Sequence, residues 1–146
     1  MYKVIVVGTD GSDRAGVAVS EAFALAKMSG ATLHPVHVVR PVSMMGAEHD
    51  PAAVATVMSS MHDEGDHICA RLRAEAERHG VSAETHNLNG DPAEVLISVA
   101  EAVYADLVVV GNRGMTGLKR FVLGSVPNSV SHHCPCSLLI VNTDHT

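Results

Sequence analysis

The residues best suited to chemistry lie in one glycine-rich stretch, residues 111–125. No acidic residue occurs from 107 to 143, although the whole chain has a formal net charge of −6. Glycines let the backbone approach a ligand closely, and the N–H groups at a helix start attract anions. We therefore expect this stretch to hold a phosphate-bearing ligand. Its cations are Arg113, Lys119 and Arg120.

A strand and a helix must position this stretch. Leu107–Val110 is an unbroken apolar run, typical of a buried parallel strand. Ser125 and Pro127 mark a helix start, so backbone N–H groups at both ends of the stretch could surround two or three phosphates. The pattern is neither a Walker A loop nor a dinucleotide fingerprint. A surface loop whose glycines only turn the chain is the alternative. The glycines are Gly111, Gly114, Gly117 and Gly124.

The rest of the chain alternates strand and helix patterns. This alternation predicts an α/β fold, a single doubly wound parallel sheet of five strands with helices on both faces. A polar stretch at Gly8–Ser12 follows the first strand, and the 111–125 stretch follows the fourth. If both border one crevice, the strand order is 3-2-1-4-5. The predicted strands are 3–7, 32–39, 81–88, 107–110 and 137–142, and the predicted helices are 13–29, 52–79, one that opens at Pro92, and 126–133.

Composition excludes several classes of protein. The length of 146 residues predicts one domain, residues 1–146. The acidic balance argues against nucleic acid as a partner, and no apolar run approaches the roughly 18 residues of a membrane span. Three cysteines without framework spacing favour the reducing cytoplasm. With 47% hydrophobic but only 3% aromatic residues, the core must be aliphatic.

Four segments together resemble the universal stress protein family. The spacing Gly111-x2-Gly114-x9-Gly124-Ser125 is similar to the Gly-x2-Gly-x9-Gly-Ser/Thr motif of its ATP-binding branch. The segments Val6–Ser12, Asp106–Gly114 and Cys134–Val141 resemble its other landmarks, so the resemblance spans the whole chain.

This resemblance implies ATP in the cleft between the first and fourth strands. Asp10, with Thr9 beside it, would contact the adenine end, and Val38 would be an apolar wall for the base. Without the resemblance, Asp10 could simply form a turn after the first strand. The phosphate and ribose contacts would be Gly111, Gly114, Gly124 and Ser125, with Asn112, Arg113 and Val126 adjacent.

The resemblance also implies partners and a function. Mg²⁺ would bridge the phosphates, because the stretch offers few carboxylates of its own. A homodimer would form through the last strand, Leu138–Val141, whose apolar edge needs a partner. We expect a nucleotide-dependent regulatory protein of the stress response with slow hydrolysis at most, because hydrolysis needs a positioned water. The alternatives are a cyclic AMP-binding member of the family and a genuine slow ATP hydrolase.

Other reactive side chains have simpler explanations. His34 and His37 alternate along a strand, where they are packed or solvated. Met44, Met45, Met58 and Met61 fill gaps in the core or cover the site. A cluster of histidines and cysteines is explained by its place at a junction between a helix and a strand, and its spacing fits no common zinc site. A metal site or a redox switch is the alternative for this cluster. That cluster is His132, His133, Cys134 and Cys136.

Overall fold

Five parallel strands form one sheet in the computed structural model, which describes residues 1–41, 50–113 and 123–144. The strand order is β3-β2-β1-β4-β5, which confirms the predicted 3-2-1-4-5 order. Four helices among the described residues connect the strands. The elements are β1 Val4–Thr9, α1 Asp13–Ser29, β2 Thr32–Val39, α2 Pro51–His79, β3 His86–Asn89, α3 Pro92–Ala102, β4 Leu107–Gly111, α4 Ser125–His133 and β5 Ser137–Val141.

The central strand β1 supplies side chains to two apolar layers. Ile5 and Val7 pack with residues of α1 and α2, whereas Val6 packs with residues of α3 and α4. All three are fully buried. Because side chains alternate across a strand, this short apolar run fills the core on both faces of the sheet. The predicted helix-covered sheet is therefore confirmed.

Side-chain caps fix where two helices begin. The Ser12 hydroxyl accepts a hydrogen bond from Ala15 N (3.1 Å), and the Asp91 carboxylate accepts one from Glu94 N (3.1 Å). Each cap satisfies an N–H group that the helix itself leaves without a partner. At the other end of α1, Gly30 adopts the left-handed conformation (φ 69°). The predicted bounds of α1, 13–29, are confirmed.

The predicted strand 81–88 is wrong over its first half. Ladder pairing begins only at His86, and an isolated bridge joins Leu33 to Ala83 before it. Around that bridge, Leu33 N donates to Ser82 O (2.8 Å). Two residues further along β2, Pro35 has no N–H to continue this series, so the ladder is interrupted. The third strand is therefore short because of a residue in its neighbour.

Helix α2 passes very close to the sheet at Gly65. A Cβ atom at this position would lie 2.6 Å from His37 Nδ1 and would also overlap the Asn87 side-chain oxygen. The His37 ring and that oxygen are themselves joined by a 2.9 Å hydrogen bond. Gly65 is thus a packing requirement, not only a weak point in a helix. No helix in the described ranges has the length and apolar character needed to cross a membrane.

Candidate functional site

The exits of β1 and β4 lie side by side at one edge of the sheet. The two strands pair directly, and their register runs from Ile5↔Leu107 to Val7↔Val109. The chain leaves β1 at Thr9 and leaves β4 at Gly111. The strand order reverses here, because β2 lies on one side of β1 and β4 lies on the other. Ligands of open α/β sheets bind outside such a reversal point.

Two predicted site residues form the turn after β1. Thr9 Oγ1 accepts a hydrogen bond from Gly11 N (3.1 Å), and Asp10 Oδ1 accepts one from Ser12 N (2.9 Å). Asp10 therefore does form the turn that the simpler reading expected. Its side chain is nevertheless exposed, and Oδ2 has no hydrogen-bond partner among the described residues. One carboxylate oxygen remains available to a ligand.

Val38 lies at the same edge of the sheet. The preceding residue of β2, His37, is the register partner of Thr9. Val38 is half-buried and packs against the apolar layer that contains α3 and α4. Its position beside the β1 exit is compatible with an apolar wall for a planar ring.

The two ends of the glycine-rich stretch meet in space. Gly124 N donates a 2.9 Å hydrogen bond to Asn112 O, and Gly124 is buried. Its φ of −61° is open to any residue, so conformation does not require glycine. Space is limited instead, because a Cβ atom would lie 3.2 Å from Asn112 O and 3.4 Å from Arg113 Cα, so these neighbours would have to shift slightly. Gly114, Lys119 and Arg120 lie outside the described residues, as do Gly117 and residues 42–49 with Met44 and Met45.

Helix α4 points its N-terminus at this junction. Gly124 is its N-cap, and no side chain caps the helix among the described residues. Ser125, which is exposed, and Val126 are its first two residues, and the first turn has no acidic residue. The N–H groups of a first helical turn carry a partial positive charge. Buried Val130 anchors the helix against the core.

The end of the chain folds over the β4 exit, which the sequence did not lead us to predict. Thr143 is only 1% exposed, and its N and Oγ1 donate to Asn112 Oδ1 at 2.9 and 2.8 Å. Asp144 forms an ion pair with Arg113, whose side chain is 9% exposed. The hydrogen bond from Arg113 lowers the pKa of Asp144. Asn112 and Arg113 are therefore held by this segment. The only indication of this contact in the sequence was that Asp144 ends a long run without acidic residues.

One concave surface among the described residues lies away from the β4 exit. An open groove of about 720 Å³ separates α1 from α2 and is lined by Ser12, Ile68 and Arg71 among others. It reaches the β1 exit through Thr9 but includes none of the residues that follow β4. Volume alone does not identify a site, so we place the candidate site where the two strand exits converge.

The histidines of the sheet pack against neighbouring side chains, which is one of the two alternatives that the sequence left open. His34 is 5% exposed, and its Nδ1 lies 2.9 Å from His86 Nε2 in a stacked pair. Burial lowers the pKa of both rings. His37 is on the opposite face, against Asn87 and Gly65. These rings belong to the packing of the sheet.

The cysteine cluster at the start of β5 is also part of the packing. Cys134 and Cys136 contact the layer that contains α3 and α4. Burial, followed by the nearby Cys134 thiol, raises the pKa of Cys136 to about 12. A thiol with so high a pKa is a poor nucleophile. Across the described part of the chain, no group of three or more His, Cys, Asp or Glu side chains is arranged to hold a metal ion.

The comparison with known families decides what kind of protein has this arrangement. A sequence model described as the universal stress protein family matches residues 1–142. The chain belongs to the universal stress protein family. One relative, the universal stress protein YxiE of Bacillus subtilis, is 35% identical over 147 residues, 97% of this chain and 99% of its own. Another, MJ0531 of Methanocaldococcus jannaschii, is 34% identical over 97% of this chain and 82% of its own.

Solved universal stress proteins share the fold, and some contain adenine nucleotides. UspA from Lactobacillus plantarum is 27% identical with a TM-score of 0.80, and the match covers 96% of this chain and 97% of UspA. A universal stress protein in complex with cAMP is 31% identical with a TM-score of 0.70, covering 98% of both chains. A third, from Archaeoglobus fulgidus in complex with dAMP, is 23% identical with a TM-score of 0.66, covering 95% of this chain and 97% of its own.

Proposed function

We propose that this universal stress protein binds ATP with Mg²⁺ in the crevice between β1 and β4, and acts in the cytoplasm as a nucleotide-dependent regulator of the stress response. The observation that carries the proposal is the contact of Asn112 and Arg113 with Gly124 at the start of α4. It places a strand exit, an arginine and a helix N-terminus together. Such convergence of backbone N–H groups and positive charge suits phosphate.

We assign the two ends of the ligand to different parts of the crevice. The phosphates would lie against the α4 N-terminus, with Gly111, Ser125 and Val126 beside them. The base would lie toward Thr9 and Asp10, where one carboxylate oxygen can accept a hydrogen bond from an amino group. Val38 would then contact the face of the ring. This assignment follows the order of the strands across the edge of the sheet.

Mg²⁺ would be bound chiefly by the phosphates. No side chain between residues 107 and 143 is acidic, so the stretch itself supplies no carboxylate ligand. Mg²⁺ is commonly held by substrate phosphates, waters and only one or two carboxylates. When bound, it would neutralise part of the phosphate charge.

We propose slow hydrolysis at most. Rapid phosphoryl transfer requires a group that positions water and further charge stabilisation in the transition state. Asp10 already accepts the Ser12 N–H and is assigned to the base, and Asp144 is paired with Arg113. Both carboxylates thus already have partners, which supports slow hydrolysis at most.

Cyclic AMP is a second candidate ligand. Its support is the 31% identity between this chain and the universal stress protein in complex with cAMP. Cyclic AMP carries one phosphate and one negative charge, so it would engage fewer of the N–H groups at the junction.

Calorimetric titration distinguishes these ligands. We would titrate ATP, AMP, cyclic AMP and adenosine with and without Mg²⁺, and follow phosphate release in parallel. ATP binding strengthened by Mg²⁺, with release slower than dissociation, supports the proposal. Preference for cyclic AMP supports the second candidate, and no binding of any of the four ligands would refute both.

A substitution at Gly124 tests the location of the site. In Gly124→Val the new side chain must displace Asn112 O or Arg113, so we expect ATP binding to be lost while circular dichroism remains native. Gly16→Ala is the matched control, because a Cβ atom there meets nothing within 4 Å. Retained affinity in Gly124→Val would show that the nucleotide binds elsewhere.

We also propose a homodimer formed through β5. This strand pairs only with β4 among the described strands and so lies at the edge of the sheet. Its residues Leu138–Val141 are only partly buried. An apolar edge strand of this kind is normally covered by a partner. Light scattering should give the mass of two chains, and a monomer at all concentrations would refute this part of the proposal.

A further inference from the structure

Arg113 and Asp144 form an ion pair beyond the end of β4, and the charge of Arg14 also acts on Asp144. Arg14 lies in the first turn of α1, which follows the β1 exit, and Arg113 follows the β4 exit. Asp144 forms an ion pair with Arg113. The Arg113 side chain is 9% exposed, so its charge is largely removed from water. A buried guanidinium needs an anion beside it, and here the chain supplies its own.

Arg14 also belongs to this cluster. Its charge contributes to the lowered pKa of Asp144, after the larger effect of the hydrogen bond from Arg113. Its Nη1 is buried, yet no hydrogen-bond acceptor reaches it from the residues that the structure describes. Leaving a buried donor without an acceptor is unfavourable. Arg14 therefore has a buried donor for which Asp144 supplies no acceptor.

We propose that Asp144 is an internal counter-ion that occupies the position of a ligand phosphate, and that Arg14 and Arg113 bind the phosphate chain once Asp144 is displaced. This inference rests on the proposed function, since it concerns the same crevice. A phosphate group has more acceptor oxygens than a carboxylate, so it can satisfy donors of both arginines. Arg14 becomes a phosphate-binding residue that the glycine motif does not include.

The hydrogen bonds of Thr143 keep this counter-ion in place. Both of its donors bind Asn112 Oδ1, directly beside Arg113. The carboxylate is therefore held near the guanidinium even when no ligand competes. Ligand binding must overcome this intramolecular contact, which lowers the affinity for every phosphate-bearing ligand. Ligands with several phosphates should overcome it most readily, because they offer more charge to two arginines.

The experiment compares Asp144→Asn with a variant of equal charge change, Asp63→Asn. Asp63 is exposed on α2, which packs on β2 and β3, on the other side of β1 from β4. The probes are ATP, inorganic tripolyphosphate and adenosine, each titrated calorimetrically with and without Mg²⁺. Charge-assisted hydrogen bonds are strong enough that we expect Asp144→Asn to bind ATP and tripolyphosphate about tenfold more tightly. Adenosine binding should not change, and Asp63→Asn should resemble the unmodified protein.

Arg14→Gln provides the second arm. It should weaken ATP and tripolyphosphate binding by about tenfold without changing adenosine binding, because only phosphate contacts are lost. It also keeps the inference testable if Asp144→Asn does not fold, which thermal melts would reveal.

The possible outcomes separate this inference from the proposed function. If the unmodified protein binds ATP but Asp144→Asn binds equally or more weakly, Asp144 is not a competing anion and the inference alone fails. If Asp144→Asn binds ATP more weakly only in the presence of Mg²⁺, Asp144 is a metal ligand, and this result would also overturn the inference. If the unmodified protein fails to bind ATP but Asp144→Asn binds tripolyphosphate, the inference is supported and the proposed ligand is wrong. If no variant binds either anion, both are overturned.

Discussion

Replacing Asn112 by alanine should destabilise the protein markedly, although Asn112 lies at a surface junction. Asn112 Oδ1 accepts two hydrogen bonds, from the backbone N and the hydroxyl of Thr143. Thr143 is 1% exposed, so water cannot easily replace the lost acceptor. Each buried donor left without a partner costs about 1–3 kcal/mol, so Asn112→Ala should lower the free energy of unfolding by about 2–4 kcal/mol.

Thr143→Val isolates one of the two bonds. It removes the hydroxyl but keeps the shape and the N–H bond, so we expect a loss of only about 1 kcal/mol. The double variant should lose less than the sum of the two single variants, because both remove the same hydroxyl bond. Asn142→Ala is the control: its Oδ1 accepts an exposed bond from Asp144 N, and we expect a change within about 0.5 kcal/mol.

Urea unfolding followed by circular dichroism measures all four values. The slopes of the transitions should agree, so that midpoints can be compared directly. A loss below about 0.5 kcal/mol in Asn112→Ala, equal to that of Asn142→Ala, would refute the reasoning that water cannot reach the Thr143 donors.

Two further predictions concern packing and pH. Gly65→Ala should destabilise the protein by at least about 2 kcal/mol, because the new Cβ atom would overlap polar atoms of the sheet. Gly16→Ala on α1 should instead stabilise it by about 0.5–1 kcal/mol. Thermal melts should therefore show shifts of the melting temperature of opposite sign. Burial lowers the pKa of His34 and His86 below 6.5, so below that pH the unfolded chain binds more protons than the folded one. The free energy of unfolding should therefore fall as the pH decreases from about 7 to about 5. In His34→Gln, the urea midpoint should depend less steeply on pH. An unchanged pH dependence would show that these two rings are not its source.

Much of the fold could be predicted because local signals agreed with the global pattern. The bounds of α1 follow from the Ser12 cap and the left-handed Gly30, both of which are local. The strand order followed from the two polar exits, Gly8–Ser12 and residues 111–125, which had to meet at a reversal point. The structure confirms that order.

The errors arose where a partner strand or a distant segment decides the outcome. The start of the third strand depends on Pro35 of β2, so the pattern of residues 81–85 alone could not reveal it. The packing requirement at Gly65 likewise depends on how closely α2 approaches Asn87, which the local sequence does not indicate.

The candidate site was predictable only in part. Gly124 was recognised by its spacing, and the structure adds the reason, which is the proximity of Asn112 O. The return of Thr143 and Asp144 over the β4 exit depends on the path of the chain after β5. No residue type or spacing encodes that path, so Asp144 and Arg14 were not among the predicted site residues.

The pairing of β1 with β4 has a consequence for how the protein is made. The backbone N–H groups of Lys3 and Val4 are bound by the side chain of Asp106, which is 103 residues away from Lys3 in sequence. A ribosome must therefore synthesise the 103 residues that separate Lys3 from Asp106, and β4 after them, before the first strand acquires its second neighbour. Until then, one edge of β1 is open to chaperones or to other nascent chains. The crevice between these strands accordingly cannot form before β4 has been synthesised.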